Sequence, residues 1–355
     1  MIRIFMIGMS TDKGGVEAYI ANLCNELDKE KYEVVFCWPE INIGGKLWVC
    51  PPNRHNYFKY VRFWKKFYRE NHFDVLYYNT CDIVSIDQIK FAKLAGIPIR
   101  IIHSHNTGNQ QEMRFFHKLS EKRNKLTLDQ YATHLFACSN SAGEWMFNGR
   151  PYQIIKNGIQ LSKYQFDYGK RKRIREQFGY SEEKIVGIIG RLDPQKNAFF
   201  TVKILQKLLI IEGIKAVFVG DGEQRFEVET AVENAGLKQK IRFVGAVDNV
   251  NEWMSAIDCL LMPSLFEGLP FVLVEAQAAG IPCVVSSAVS KEADLTGLVE
   301  FVNLTEETEV WAEKIMEACR KERIDTTQQL IDAGYSIAET AKTVSEIIEK
   351  SFEKA

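Results

Sequence analysis

Short apolar runs alternate with stretches of helical periodicity along the whole chain. The runs cover residues 2–7, 33–38, 75–78, 100–103 and 135–138 in the first half, and residues 184–189, 215–219, 241–244, 259–262 and 282–286 in the second. Runs that are apolar throughout predict strands buried on both faces, as in a parallel sheet covered by helices. The alternation with helices predicts βαβ units, and therefore an α/β protein with doubly wound parallel sheets.

The series of strands and helices is interrupted once, near residues 158–169. A chain of 355 residues exceeds one ordinary core, which favours two domains. We expect two Rossmann-like domains that face each other across a cleft, with ligands at the carboxyl ends of the strands. The pattern ends in a helix from residue 336, and periodicity alone leaves open which domain that helix packs on.

The charge of the two halves differs, although the net charge is only −1. Residues 1–163 contain 22 Lys and Arg against 15 Asp and Glu, whereas the remainder contains 23 against 31. A basic half favours an anionic membrane or a phosphorylated acceptor as partner, and unpatterned surface charge explains it equally well. Eight cysteines without a C-x-x-C pair, a strand-like start and no apolar run of 18 residues favour a cytoplasmic protein.

Two segments combine aromatic and basic residues at helical spacing, residues 57–69 (YFKYVRFWKKFYR) and residues 113–128. Such a helix can dock on an anionic membrane surface. It can equally pack its aromatic side chains inward and leave its cations in solvent, and for residues 57–69 we favour this second interpretation.

The segment from Phe266 to Glu275, FEGLPFVLVE, follows a predicted strand and a Pro-Ser turn. Gly268 permits a ligand to approach the backbone, and Pro270 suits the first turn of a helix. We expect Glu267 just before that helix and Glu275 about two turns into it. The helix start offers N–H groups to a phosphate, and the carboxylates offer acceptors to sugar hydroxyls. An acidic helix start with one surface glutamate explains the pattern equally well.

A second candidate is the segment from Gly190 to Asn197, GRLDPQKN, between a predicted strand and a helix. Arg191 and Lys196 lie five residues apart across a turn, so both can converge on one diphosphate. Such cations stabilise the charge that builds on a leaving phosphate. Two solvated loop cations are the simpler alternative.

The fourth predicted strand ends in two histidines, His103 and His105, which point to the same side because side chains alternate along a strand. H-x-H is also a metal-ligand spacing, but no third ligand pattern accompanies it, so we expect no metal site. Gly14 and Gly15 open the first predicted helix. They form a tight turn or allow a ligand to reach the Gly15 N–H, and they do not complete a dinucleotide fingerprint.

Together these motifs resemble the family-four GT-B glycosyltransferases, which build capsules, exopolysaccharides, lipopolysaccharide cores and glycolipids. The pair Glu267 and Glu275, with seven residues between, is the most specific element, and GRLDPQKN resembles the Arg/Lys phosphate motif of the family. Further similar stretches are GGVE from residue 14, NGI from 157, VGDGEQRFEVE from 219 and FVGAVDNVNEWMSAIDCLLMPS from 243.

The resemblance implies a role for each matching residue. Arg191 and Lys196 would neutralise the donor diphosphate, Glu275 would bind the ribose and Glu267 would contact the transferred sugar. The first-domain histidine of the family maps to His103 or His105, and we favour His105 because it precedes the Asn106-Thr107 loop. The full implied donor-binding set is Gly15, Gly190, Arg191, Lys196, Ala246, Val247, Glu267, Gly268, Leu269, Pro270, Phe271 and Glu275.

The resemblance also implies an organisation and a reaction. Residues 1–165 would bind the acceptor, residues 166–335 the nucleotide-sugar donor, and residues 336–355 would cross back onto the first domain. The reaction would be a retaining transfer of a hexose or N-acetylhexosamine, without metal or cofactor. The donor would be a UDP-sugar, with GDP as the second choice. The acceptor would be a glycan or lipid-linked glycan in cell-surface polysaccharide synthesis, with peripheral contact to an anionic membrane and no nucleic acid.

Three other classes of protein remain as alternatives. A non-hydrolysing nucleotide-sugar epimerase shares the architecture and is distinguished by its product. A catalytically inactive partner subunit of a transferase is distinguished by the absence of turnover. A dinucleotide oxidoreductase fits the α/β pattern, but its fingerprint is missing from the sequence.

Overall fold

The structure is a computed structural model that describes residues 1–9, 15–37, 46–48, 56–106, 115–267 and 269–353. The chain divides into two compact units. Unit one comprises Met1–Ile159 and Ser336–Ala355, and unit two comprises Gln160–Tyr335.

Unit one is built on a parallel sheet of seven described strands in the order β3-β2-β1-β4-β5-β6-β7. The strands are β1 (Ile2–Ile7), β2 (Tyr32–Cys37), β3 (Lys46–Trp48), β4 (Val75–Thr80), β5 (Ile99–Ser104), β6 (His134–Ala137) and β7 (Gln153–Ile154). The accompanying helices are α1 (Gly15–Glu26), α2 (Tyr57–Glu70), α3 (Asp87–Leu94), α4 (Phe115–Thr127) and α5 (Asn140–Phe147).

Unit two is built on a parallel sheet of six described strands in the order β10-β9-β8-β11-β12-β13. The strands are β8 (Lys184–Ile189), β9 (Ile214–Val219), β10 (Ile241–Gly245), β11 (Cys259–Met262), β12 (Cys283–Ser286) and β13 (Val299–Val302). The helices are α6 (Leu161–Tyr164), α7 (Tyr168–Gln177), α8 (Ala198–Leu208), α9 (Arg225–Asn234), α10 (Val250–Ala256), α11 (Phe271–Ala278), α12 (Thr308–Arg320) and α13 (Thr327–Asp332). The strand order reverses between β8 and β11, and this switch point is where ligands bind in sheets of this kind.

The last helix, α14 (Ile337–Glu353), packs against α1 of unit one. It begins beside Gly158, where a Cβ would lie 2.8 Å from the Ile337 backbone, so only glycine permits this approach. Tyr32 donates a hydrogen bond to Glu349 near the other end of the helix, at 3.0 Å. The chain passes from unit one to unit two between residues 159 and 160, whereas the sequence placed the boundary after residue 165. The intervening helix α6 packs against α10 and α11 of unit two, which explains the difference.

The predicted fold class, α/β with two doubly wound parallel sheets, is confirmed. All ten predicted strands form, with ends that differ by at most two residues, because their apolar side chains fill the cores on both faces of each sheet. The strands β3 and β7 were missed because they have only three and two residues, and β13 was missed because Glu300 interrupts its four residues.

The aromatic and basic helix α2 packs inward, as the second interpretation predicted. Trp64, Phe67 and Tyr68 are buried against Phe5 and Phe73, with ring centroids 4.9–6.0 Å from Phe5. Its lysines and arginines are exposed.

Candidate functional site

The loops after β8 and β11 lie side by side because the two strands are hydrogen-bonded neighbours. Three hydrogen bonds join these loops. The Leu265 N–H donates to the Gln195 carbonyl at 2.9 Å, and the Gln195 side-chain amide donates to the Phe266 carbonyl at 3.0 Å. The Asn197 side chain donates to the Pro263 carbonyl at 3.1 Å. The two motifs singled out in the sequence therefore form one site.

An ion pair between Lys196 and Glu267 lies at the centre of this site. The Lys196 Nζ and Glu267 Oε1 atoms are 2.5 Å apart, and the side chains are only 19% and 10% exposed. Asp193 caps the preceding turn by accepting from the Lys196 N–H at 3.1 Å. Gly190 has a φ of +148°, and a Cβ there would lie 3.3 Å from the Lys196 side chain. The side chain of Lys196 thus passes over the backbone of Gly190, which has no Cβ, and reaches the carboxylate of Glu267, 71 residues away in the chain.

Arg191 lies at the same edge of the sheet but is oriented differently. Its side chain is 69% exposed, and its Nε lies 3.3 Å from the Asp193 carboxylate. Both Arg191 and Lys196 line a small pocket at the ends of β8 and β11, together with Met262 and Pro263. The structure therefore brings the two cations to one pocket and pairs only Lys196 with Glu267.

Glu275 lies on α11, half-buried, in the second turn of the helix. The expected position was about two turns into the helix, and α11 begins at Phe271, so Pro270 caps the helix instead of occupying its first turn. Burial raises the pKa of Glu275, while a hydrogen bond from Tyr164 and the charge of Lys163 lower it. Burial, with the charge of Glu275, also raises the pKa of Tyr164. The sequence did not identify Tyr164, which lies in a helix of only four residues.

The other predicted donor-binding residues lie on nearby loops of unit two. Ala246 is exposed and Val247 is half-buried, directly after β10. Leu269 and Phe271 are half-buried and Pro270 is buried, at the start of α11. Gly268 lies outside the described residues.

The rings of two histidines are in contact at the end of β5 in unit one, with centroids 4.0 Å apart and ring planes tilted by 41°. His103 is fully buried; its Nδ1 lies 3.1 Å from the Tyr77 hydroxyl and its Nε2 lies 3.0 Å from the Ile155 carbonyl. Burial and the neighbouring His105 hold the pKa of His103 well below its usual value. His103 is therefore a neutral, internally bonded side chain.

His105 is half-buried and lies between two side-chain amides. Its Nε2 is 2.9 Å from Asn79 Oδ1, and its Nδ1 is 3.0 Å from Asn157 Oδ1. Burial lowers the pKa of His105 to about 3, against a smaller opposite effect of the Asn157 hydrogen bond. The sequence did not identify Asn79, because only the pairing of β4 with β5 brings it to His105. Gly15 is the exposed first residue of α1.

The described residues lack two further kinds of feature. Among the described residues, no three His, Cys, Asp or Glu side chains form a group that could hold a metal ion. No helix in the described part of the chain is both long and apolar enough to cross a membrane.

Comparisons with known proteins show the family to which the chain belongs. The family model "Glycosyl transferases group 1" matches residues 170–337, and "Glycosyltransferase Family 4" matches residues 13–163. Among curated proteins, the putative glycosyltransferase EpsF of Bacillus subtilis is 29% identical, over 99% of this chain and 97% of its own. The UDP-Gal:alpha-D-GlcNAc-diphosphoundecaprenol alpha-1,3-galactosyltransferase of Escherichia coli is 28% identical, over 55% of this chain and 53% of its own.

A solved structure shows the same fold. The structure of Anabaena HepE in complex with UDP and glucose superposes with a TM-score of 0.77 at 17% identity, over 99% of this chain and 100% of HepE. Fold and family matches together define the class of protein as a glycosyltransferase with the GT-B fold. The chain belongs to the family-four, group 1 glycosyltransferases.

Proposed function

We propose that this glycosyltransferase moves a hexose or N-acetylhexosamine from a nucleotide sugar, a UDP-sugar by preference, with retention of the anomeric configuration. The acceptor is a glycan or lipid-linked glycan in cell-surface polysaccharide synthesis. The observation that supports this most strongly is the Lys196–Glu267 pair beside Arg191 at the switch point of the unit-two sheet. A diphospho-sugar offers a binding partner to each side chain. Its phosphates are anions that Lys196 can bind, and its sugar hydroxyls can donate hydrogen bonds to Glu267.

Each charged side chain has a separate task in this proposal. Lys196 and Arg191 bind the donor diphosphate, Lys196 as a point charge and Arg191 as a planar fork. Glu267 accepts hydrogen bonds from the hydroxyls of the transferred sugar, assisted by the backbone N–H groups of Leu269 and Phe271. Glu275, held by Tyr164, accepts from the ribose. The ion pair separates when the donor binds, because Lys196 gains the phosphate and Glu267 gains the sugar hydroxyls.

The chemistry then needs no carboxylate nucleophile. The bond between the anomeric carbon and the phosphate oxygen breaks through an oxocarbenium-like transition state. The acceptor oxygen bonds to the same face of that carbon, and its proton passes to the departing phosphate. The two cations stabilise the charge that develops on this phosphate, which is the part that a bound metal ion plays in other transferases.

The choice of UDP and of the acceptor is supported by similar proteins. HepE binds UDP and glucose in a structure of the same fold, and the Escherichia coli relative acts on a diphosphoundecaprenol-linked sugar. We assign the acceptor to the part of unit one around His105, at the end of β5.

We further propose that α4 docks on an anionic membrane that holds the acceptor. Phe115, Leu119 and Leu126 lie at helical spacing and are exposed, as is Phe116. Five of the thirteen residues of α4 are lysine, arginine or histidine. Exposed aromatic residues beside cations are typical of helices that bind the surface of anionic lipids. By contrast α2, the other segment considered, buries Trp64, Phe67 and Tyr68 in the core of unit one.

A panel of nucleotide sugars, screened for thermal stabilisation and for transfer to lipid-linked acceptors, tests the donor proposal. We expect one UDP-sugar to raise the melting temperature and to be turned over, and we expect Arg191→Ala to weaken its binding. Glu292→Gln, which alters an exposed carboxylate after β12, serves as the control. Interconversion of the free donor without transfer would instead show an epimerase, and binding without turnover would favour an inactive partner subunit.

Vesicle sedimentation tests the membrane proposal. The protein should bind vesicles that contain phosphatidylglycerol at low salt and not vesicles of phosphatidylcholine alone. Phe116→Ser should reduce this binding about tenfold, since it removes one large apolar side chain from the interface. The matched change Phe58→Ser, in the equally exposed start of α2, should leave binding unchanged. A larger effect of Phe58→Ser would move the docking surface to α2.

A further inference from the structure

Asn79 is a buried polar residue that no sequence motif indicated. It lies in β4 and is only 1% exposed. Its side-chain amide donates to the Ile7 carbonyl and to the Met6 sulfur, both at 3.1 Å, and its Oδ1 faces His105. A flipped amide would place Oδ1 against the Ile7 carbonyl oxygen and leave two acceptors facing each other. The orientation of the Asn79 side chain is therefore fixed by β1.

The backbone around Asn79 reinforces this fixation. Gly8, directly after β1, has a φ of +124°, which favours glycine. A Cβ on Gly8 would lie 2.4 Å from the Asn79 carbonyl oxygen and 2.6 Å from the Asn79 Cβ. The glycine lets the two strand ends approach closely enough for the amide of Asn79 to reach Ile7.

The fixed amide decides which nitrogen of His105 carries the proton. Asn79 Oδ1 can only accept a hydrogen bond, so the Nε2 atom at 2.9 Å must donate one. In a neutral imidazole the other nitrogen, Nδ1, is then an acceptor. The Asn157 atom that lies 3.0 Å from Nδ1 is Oδ1, so we assign the Asn157 amide the flipped orientation, in which its NH₂ group donates to Nδ1. Both ring nitrogens are thus engaged by neutral amides.

We propose that Asn79 is a positioning residue that holds His105 in the neutral form protonated on Nε2. His105 then contacts substrate as a neutral ring and does not carry a proton during transfer. The part of this proposal that concerns substrate rests on the proposed function, whereas the tautomer does not. The surroundings agree with it, because the ring packs against the neutral rings of Tyr19 and His103, at centroid distances of 5.1 and 4.0 Å.

Nitrogen-15 NMR of the histidine rings tests the tautomer directly. In the unmodified protein, with the signals assigned by their loss in His105→Gln, we expect a protonated Nε2 and an unprotonated Nδ1 at every pH from 5.5 to 8. Asn79→Asp places a carboxylate beside Nε2 and should make the ring titrate within that range. Asn148→Asp makes the same chemical change at an exposed helix end and should leave the ring unaltered. A protonated Nδ1, or titration of His105 in the unmodified protein, would overturn the proposal.

The pH profile of transfer supplies the second readout. At pH 6, we expect kcat/KM of Asn79→Asp at least about tenfold below that of the unmodified protein, with a smaller deficit at pH 9, because the added charge matters only while the ring is protonated. A pH-independent deficit would show that Asn79 acts only on stability. If no donor supports transfer but the NMR result holds, the proposed function fails and the tautomer assignment stands.

Discussion

Removal of one charge from the Lys196–Glu267 pair separates the structural role of the pair from its role in catalysis. The perturbations are Lys196→Met and Glu267→Gln, which keep the approximate size of each side chain, together with the double variant. Each single change leaves the other charge without its partner at a site where the side chains are only 19% and 10% exposed.

The expected loss of stability lies between that of exposed and buried pairs. Breaking a fully buried pair costs about 3–5 kcal/mol, and exposed pairs contribute about 0–1 kcal/mol. For this burial we expect each single variant to lose about 2 kcal/mol of unfolding free energy. In a unit of this size that lowers the melting temperature by roughly 4–8 °C. The double variant should recover part of the loss, because no unpaired buried charge remains.

Activity should respond in a different way from stability. A charge-assisted hydrogen bond to the leaving phosphate contributes up to about 3 kcal/mol, so Lys196→Met should reduce kcat/KM by about 100-fold. Glu267→Gln should reduce it to a similar extent, and the double variant should recover none of it, because each side chain binds a different part of the donor.

Scanning calorimetry and initial rates on the same samples measure both effects. Glu309→Gln, which breaks an exposed pair with Lys207 in the same unit, serves as the control and should change neither quantity appreciably. A double variant that regains both stability and turnover would refute the reasoning, because the pair would then be structural only. Single variants with unchanged kcat/KM would refute the assigned donor contacts.

Three further predictions follow from other contacts. Tyr164→Phe should raise the KM for the donor about tenfold, because it removes one hydrogen bond to Glu275. The effect should be smaller with a 2′-deoxy donor, because the tyrosine and the ribose hydroxyl both bind the Glu275 carboxylate. Gly8→Ala should cost at least about 2 kcal/mol more stability than Gly96→Ala in urea titrations, since both positions have positive φ but only Gly8 meets neighbouring backbone. The unfolding free energy should fall below pH 6.5, because the folded His105 ring stays neutral down to its pKa of about 3 while the unfolded ring binds a proton. His105→Gln should reduce the slope of this fall by about 1.4 kcal/mol per pH unit. An unchanged slope would contradict the neutral ring.

The strands and the two charged motifs could be predicted because their signals are local. The run of residues 184–189 is apolar after its first residue, Lys184, and it forms β8 with the predicted bounds. Lys196 and Glu267 each follow a predicted strand, and parallel neighbours bring the ends of their strands together. The sequence therefore predicted that both residues lie at the ends of strands. Only the structure showed that the two strands, β8 and β11, are neighbours.

The partners of the site residues could not be predicted because they depend on packing. Asn79 contacts His105 because β4 pairs with β5, and because Gly8 has no Cβ that would collide with Asn79. Tyr164 reaches Glu275 from a helix too short to give a periodic pattern. The position of Pro270 also depended on the local backbone, which decides whether proline precedes a helix or occupies its first turn.

The anomeric configuration of the product tests the central claim most directly. Transfer from the α-linked donor identified in the panel should be followed by proton NMR from the first detectable product, in the presence of excess EDTA. Metal-independent retention predicts an α-linked product that forms at the same rate with and without the chelator. A β-linked first product, or a rate abolished by EDTA and restored by a divalent cation, would contradict the proposed roles of Arg191, Lys196 and Glu267.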